Sequence, residues 1–459
     1  VSFVHGRMAS AVLCCLGVAL FEPRLARGDS PRADLEEDLF GDESAPTSSG
    51  VDAEDLLDRE RLQIGGMMYL RFMAFQFQDD QAPDVGNSNL VDLYLDARPS
   101  DRVRGYVRGR LKYQPAMASP LRIEFRPSAP VDLMPVPDAT SVQLDQLWLT
   151  FDVQRRLFVT VGKQAVRWGA TRLWNPVDVI HPDRRDPLAL FDERTGIPMA
   201  RFELPIPRAR LALSGLVLMD GVERGDDLGG ALRVESAFPR TNLGLSAMAK
   251  PGRDPLVGLD LSTGLWEFDV TAEAALRFPQ GEDSHNEWFH AGSRQAVGQV
   301  AAGIEYLVKY SDTDFLGVGA EYFYNPDGRT HHREYLLAFL QKTGSPFYLG
   351  RHYAALLFLL PNPGNWNSTS FVLSNVGNLS DQSFLTRLDV RTEILTWMTL
   401  ELYTAVHYGT KGGEFRFAVN PDDLPELNEL ITGVPDYRTW LRSGPAPLVD
   451  VGFNLRIDL

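Results

Sequence analysis

The chain has 459 residues and a formal net charge of -16 with a pI near 5.0, a balance that disfavours general binding to nucleic-acid phosphate. Its length admits two or three average domains or one large sheet-built domain. Past the N-terminus no run of 18 apolar residues occurs, which excludes a helical membrane protein.

Residues 1–28 read as a secretory signal. His5 and Arg7 precede an apolar run from Met8 to Phe21, and small residues around Ala26 and Gly28 suit cleavage before Asp29. Cys14 and Cys15 are the only cysteines, and Leu13 stands where a lipoprotein signal wants a small residue. The exported chain is therefore expected to hold no disulfide, no cysteine metal site and no cysteine nucleophile. Residues 29–61 carry 12 acids against three bases (Arg32, Arg59 and Arg61) and lack a core-forming set of aromatics. They are expected to be an acidic, disordered periplasmic leader.

From Leu62 onward the texture changes. Segments of ten to fourteen residues alternate polar with apolar up to Leu459, for instance Asp450, Gly452, Asn454, Arg456 and Asp458 between Val451, Phe453, Leu455, Ile457 and Leu459. Strands of this length with one continuous apolar face are the pattern of a transmembrane β-barrel. Short connections are expected at 99–101, 154–156, 205–208, 238–240, 262–264, 311–314, 361–366 and near Leu395. Long ones are expected at 79–88, 115–141, 167–198, 220–228, 250–255, 279–295, 326–345, 374–379 and 410–447. Eight turns and nine loops join 18 strands (16 being the alternative count) in an antiparallel up-and-down barrel over 62–459. An even count puts both ends of the barrel on the periplasmic side. A soluble sandwich would be expected to split into linked domains, and the absence of a fixed repeat argues against propellers and solenoids.

The stretch from Arg102 to Tyr113 shows where the polar face points. Arg102, Arg104, Tyr106, Arg108, Arg110 and Lys112 share one parity, and Val103, Gly105, Val107, Gly109 and Leu111 the other. Charge on a lipid-facing position costs about 2–4 kcal/mol per Arg or Lys at the midplane, so the basic face is expected to line the lumen. A hairpin centred near Ser100 would set Asp96 opposite Arg104 and Asp92 opposite Arg108, leaving Arg102, Arg110 and Lys112 open to solutes. Glu267, Asp269, Glu273, Glu305 and Glu321 are expected to point inward on the eleventh to thirteenth strands, nearly across the bore. Opposed basic and acidic walls would set up a transverse field, the alternative being local pairing of each charge with a neighbouring strand.

Two stretches resemble a known class. Asp450 to Leu459 resembles the C-terminal signal read by the bacterial outer-membrane assembly machinery, with Leu459 where Phe is commoner. Gly162-Lys163-Gln164, Trp168-Gly169 and Asn175-Pro176-Val177-Asp178 resemble an element of porin-like outer-membrane families, many of them uncharacterised. Glu321 to Asn325 and Leu349 to Tyr353 are similar to segments of such proteins. The resemblance implies a passive channel or uptake porin in the bacterial outer membrane, and carries no proven site residues.

By its position, Trp168 is expected at the outer rim, in the interfacial aromatic girdle. The segment that follows holds Arg167, Asp178, Asp183, Arg184 and Arg185 and is long enough to be functional; folded inward it would narrow the lumen, folded outward it would be a plain external loop. No Gly-x-Ser-x-Gly motif and no His–Ser constellation appear, and His331-His332 and the pair His285 and His290 lack metal-ligand spacing. Neither enzyme chemistry, nor a metal, nor a cofactor is expected. The reading is a porin-like channel for small hydrophilic, possibly anionic, solutes. The alternatives are a barrel that binds or moves apolar molecules, for which Phe323, Trp148 and Leu385 leave room, and a barrel with enzymatic or scaffolding loops.

Overall fold

The structure is a computed structural model that describes residues 61–76, 84–116, 122–123, 131–132, 139–189, 191–279, 296–312, 314–335, 345–417 and 448–459. The expected signal and nearly all of the acidic leader lie outside these residues, as do His285 and His290.

The strands are β1 (Leu62–Gln76), β2 (Asp84–Ser100), β3 (Val103–Ala116), β4 (Arg122–Ile123), β5 (Val131–Asp132), β6 (Thr140–Val153), β7 (Leu157–Gln164), β8 (Ile197–Ile206) and β9 (Leu211–Leu218). There follow β10 (Gly229–Phe238), β11 (Thr241–Lys250), β12 (Arg253–Leu265), β13 (Phe268–Arg277), β14 (Val297–Lys309) and β15 (Phe315–Tyr324). The last five are β16 (His352–Pro361), β17 (Thr369–Asn378), β18 (Ser383–Leu395), β19 (Met398–Gly409) and β20 (Val449–Asp458). Apart from the small β4–β5 hairpin they form one 18-stranded sheet in which each strand pairs antiparallel with its neighbours in sequence. β20 pairs with β1, Met67 opposite Asp458 and Phe72 opposite Phe453, so the sheet closes into a barrel with no free edge. The expected count of 18 is the observed one.

Alternation gives the barrel an inverted polarity. On β2 the side chains of Asp92 and Asp96 are buried while Leu93 between them is 56% exposed. Leu147, Leu149, Leu245, Leu259 and Phe453 are likewise exposed, whereas Arg233, Asp145, Glu273 and Asn454 are buried. Apolar positions face outward to lipid and charged positions face inward, as a membrane-spanning barrel requires. Two connections expected to be long are short: Pro251-Gly252 is a tight turn with Gly252 at φ 75°, and residues 379–382 join β17 to β18. The long connections that remain open at the end opposite Leu62 and Leu459.

A segment, residues 165–196 between β7 and β8, occupies the lumen. Trp168, Val177 and Ile180 pack on Met199, Leu216, Leu218, Ala231, Met248, Leu256 and Ala275, inward positions of β8 to β13. Leu173 and Trp174 pack on the other side, against Ala301, Phe323, Tyr353, Ala355, Val376, Leu385 and Ala405 of β14 to β19. Several of these wall residues are alanine, which makes room for the larger side chains of the segment. Phe191 reaches Tyr69 on β1 with ring centroids 5.3 Å apart. The barrel thereby acquires a hydrophobic core that a hollow cylinder of this width would lack.

Candidate functional site: a lumen constriction

The inserted segment is held by two carboxylates of the barrel wall. Glu273 on β13 accepts hydrogen bonds at Oε1 from the backbone N–H of Ala170 (2.6 Å) and Thr171 (2.7 Å), from the Thr171 hydroxyl (2.6 Å) and from Asn175 Nδ2 (3.0 Å). Its Oε2 accepts from the Val177 N–H (3.1 Å). Glu321 on β15 accepts from the backbone N–H of Arg172 (2.9 Å), Leu173 (3.1 Å) and Trp174 (2.8 Å). Consecutive N–H groups converging on an anion form charge-assisted bonds, roughly twice as strong as neutral ones. Both carboxylates are 5% exposed or less, so the anchor lies out of reach of bulk water.

This geometry explains the motif. Gly169 has φ 111°, and a Cβ there would lie 2.5 Å from Glu273 Oε1, so the residue after Trp168 must be glycine. Gly162 has φ 132°, and a Cβ there would lie 2.1 Å from the Leu147 carbonyl oxygen. Asn175 serves Glu273, while Asp178 accepts from the Trp168 N–H (3.3 Å) and from Arg194 (2.8 Å). Phe323 stacks on Trp174 at 5.7 Å, and Asn325 Nδ2 donates to the Tyr348 carbonyl (2.9 Å). The stretches 321–325 and 349–353 therefore grip the segment or brace its support.

Several expected positions are corrected. Trp168 is not in an outer girdle: it is 6% exposed inside the barrel, with the Arg233 guanidinium 5.6 Å from its ring centre, because the chain turns inward directly after β7. Glu273 and Glu321 do not face solute across the bore, since the segment covers them. Glu267 lies in the turn between β12 and β13, where the Tyr306 hydroxyl donates to it (3.1 Å). Asp269 and Glu305 stay on the wall beside the segment, with Arg172 3.4 Å from Glu305.

The β2–β3 register also differs by two residues. Asp92 faces Arg110 and Asp96 faces Tyr106, because an irregularity between Ala97 and Ser100 displaces the turn. Arg110 is not free: it forms a two-pronged bond with Asp92 (2.8 and 2.7 Å) and donates to the Glu193 carbonyl (2.8 Å). Arg102 lies in the turn before β3 and binds Asp152 (3.0 Å), while Lys112 reaches Glu193 (3.3 Å). Arg104 bonds Asp96 diagonally (2.9 and 2.7 Å) although it is not opposite it, and Arg108 binds Asp145 (2.5 Å).

The wall formed by β1, β2, β3 and β6 is thus an interleaved ladder. Six cations (Arg71, Arg98, Arg104, Arg108, Arg110 and Lys112) share four carboxylates (Asp92, Asp96, Asp145 and Glu193). Asp145 and Glu193 were not singled out in the sequence. Asp145 falls on the inward face of β6 beside a register irregularity at Arg108 and Gly109, and Glu193 belongs to the inserted segment, so neither was visible from strand alternation. Burial opposes the charge on Glu193, but Arg71 and Lys112 outweigh it and hold the carboxyl below the usual glutamate range.

Across the lumen, Arg167, Arg172 and Arg185 border a cavity of about 150 Å³ closed by Asp269, Glu305 and Glu321. Arg185 donates to the Arg172 carbonyl, and its Nε is buried with no partner. Burial and the nearby Arg167 lower the Arg185 pKa to about 10. Arg184 lies over the Tyr348 ring at 4.5 Å, and Asp183 is exposed, its carboxylate 4.0 Å from His181 Nδ1, while its carbonyl accepts from Arg194 (3.1 Å). Among the described residues no group of three or more His, Cys, Asp or Glu side chains could hold a metal.

A closed 18-stranded antiparallel barrel, apolar outside and charged within, has the architecture of bacterial outer-membrane porins. Among solved structures the chain is similar to the outer membrane protein opdK of Pseudomonas aeruginosa, at 9% identity and a TM-score of 0.51, over 87% of this chain and 99% of that one. It is similar to a BenF-like porin of Pseudomonas fluorescens Pf-5, at 11% identity and a TM-score of 0.53, over 87% and 99%. A third is OccAB1 of Acinetobacter baumannii, at 8% identity and a TM-score of 0.52, over 89% and 99%. At these identities the likeness is one of fold. No family model and no curated protein sequence matches the chain.

Proposed function

We propose that this chain is an outer-membrane channel that passes small hydrophilic solutes passively and favours anions. The observation that carries this reading is the inserted segment, which narrows the lumen beside an arginine-rich wall. On the β1–β3 side six cations share four carboxylates, leaving a surplus of positive charge. On the other side Arg167, Arg172 and Arg185 border the remaining cavity, facing Asp269, Glu305 and Glu321. Positive potential confined between low-dielectric walls concentrates anions. The fold of the porins named above supports the same reading, as does the match of Asp450–Leu459 to an outer-membrane assembly signal on the strand that closes the barrel.

A barrel for apolar molecules has less support. Phe323 and Leu385 are buried beneath the segment and offer no apolar wall to a solute. Trp148 stacks on Tyr106 at 5.2 Å, with the Arg104 guanidinium 5.4 Å from its ring centre.

Planar bilayers with a tenfold KCl gradient test the proposal. An anion-selective reversal potential is expected, together with swelling of liposomes in small organic acids. Cation selectivity would overturn the charge preference, and absence of both conductance and swelling would overturn the channel.

A further inference from the structure

Between the inserted segment and the rim of short turns, one arc of the lumen wall is aromatic. Tyr94 on β2 is directly opposite the inward-facing Arg108, and Trp148 on β6 is directly opposite Tyr106 of β3. All three aromatic residues therefore face the bore. They lie nearer the turns than Arg110, which donates to the inserted segment at Glu193. The rings follow one another at centroid separations of 5.8 and 5.2 Å, within 21° and 18° of parallel. The Tyr94 ring leans along the wall, its tip covering Gly65, where a Cβ would lie 2.5 Å from Tyr94 Oη. Each of the three is partly exposed. Barrel strands tilt by about 35–45°, so a row that crosses three of them runs obliquely down the bore.

The polar groups beside the strip are paired charges. Arg104 bonds Asp96 (2.9 and 2.7 Å) and lies 5.4 Å from the Trp148 ring centre, Arg98 reaches Asp96 (3.2 Å), and Arg108 binds Asp145 (2.5 Å). Gln146 accepts from the Trp148 indole N–H (3.1 Å).

We propose that this strip is a saccharide subsite, separate from the constriction, on which a sugar ring or short oligosaccharide rests during passage. A pyranose presents C–H faces ringed by hydroxyls. The C–H faces suit aromatic rings, which supply rigid apolar area. Each hydroxyl both donates and accepts, and an Arg–Asp pair offers both functions at once. Arg104 and Arg108 each have a carboxylate of their own, so this arc serves hydroxyls. Arg71 and Lys112, which share the one carboxylate of Glu193, serve anions instead. Aromatic lining with a few placed polar groups is the usual composition of a small-molecule site.

The inference rests on the lumen being open to solutes, so binding is measured apart from conduction. Maltotriose is titrated calorimetrically into the full chain in detergent micelles, with benzoate as a ring-bearing anion for comparison. Saturable binding of maltotriose is expected. Tyr106→Leu and Trp148→Leu should each weaken it about fivefold, whereas Trp148→Phe, which keeps an aromatic face, should stay within about twofold of the parent. Heat-modifiable migration shows that each variant is folded. In planar bilayers maltotriose should reduce the ionic current of the parent, and of Trp148→Leu less. No binding to the folded parent, binding that both leucine variants leave unchanged, or binding of benzoate in place of maltotriose would overturn the proposal. Maltotriose binding without any conductance would support the subsite and overturn the channel reading alone.

Discussion

Oε1 of Glu273 lies 2.7 Å from the backbone nitrogen of Thr171 and 2.6 Å from its hydroxyl, across 102 positions of sequence. That single oxygen also receives the Ala170 N–H and the Asn175 amide, so four donors of the inserted segment converge on one atom of β13. Glu273→Ala leaves these buried donors without an acceptor, at about 1–3 kcal/mol for each group stranded. The segment is expected to detach from β13, with higher and noisier single-channel conductance while the barrel stays folded. Unchanged conductance would show that Glu321 alone suffices as anchor.

Gly169→Ala tests the same contact from the other partner. The added methyl would meet the Glu273 carboxylate at 2.5 Å, on a backbone with φ 111°. Strain of this kind costs on the order of 1–3 kcal/mol. Faster proteolysis within 165–196 than in the parent is the expected readout, while Gly225→Ala, with nothing near its Cβ position, should behave as the parent.

The ladder cations divide into two classes. Arg110 is 2% exposed and bonds Asp92, so Arg110→Gln strands a buried carboxylate and is expected to destabilise the barrel by about 3–5 kcal/mol. Arg71 and Lys112 are partly exposed and share Glu193. Replacing both by Gln should leave the heat-modifiable migration of the folded barrel intact and shift selectivity toward cations. Loss of folding with no change in selectivity would reverse these assignments.

Two carboxyls predict opposite pH responses. The Glu193 carboxyl is held below the usual range, so its bonds to Arg71 and Lys112 persist above that range and fail as pH falls through its lowered value. Anion selectivity should therefore rise on acidification through that lowered value, where the two cations lose their shared partner. Glu414, in the short helical turn Glu414–Arg416 after β19, is raised to about 7 by burial, against the hydrogen bond from the Tyr353 hydroxyl (2.6 Å). A raised carboxyl stabilises most below its unfolded value near 4.5 and loses that contribution as pH climbs to about 7. Protection of the Gly413–Phe415 amides, taken relative to their intrinsic exchange rate at each pH, should be higher at pH 5 than at pH 8, and Glu414→Gln should remove that difference.

Strand alternation made the barrel legible in the sequence, because a side-chain period of two cannot be kept over 18 strands unless each separates two solvents. It also put Glu273, Glu321 and the even-numbered cations of β3 on the inward face. What alternation could not show is what those charges meet. The partners of Glu273 and Glu321 are backbone N–H groups of a distant segment, which carry no sequence identity. The β2–β3 register slipped because a hairpin centre read from Ser100 ignores the irregularity beside it. Trp168 was misplaced because aromatic content at a strand end fits an interfacial ring and a lumen core equally well. The decisive sign was the nearby Gly169, whose need for a positive φ marks a sharp change of chain direction.

The pairing of β1 with β20 has a kinetic corollary. Met67 meets Asp458 and Gln76 meets Val449, contacts that join the two ends of the sheet and demand nearly the whole chain between them. Such pairings carry the largest loop-closure entropy in the molecule and are expected to form last. Until they form, β1 and β20 each present an unpaired edge to other chains, and the lumen stays open along a seam through which residues 165–196 can enter from the side. A chain cut short before Val449 would keep that seam permanently, and self-association rather than simple unfolding is its expected fate.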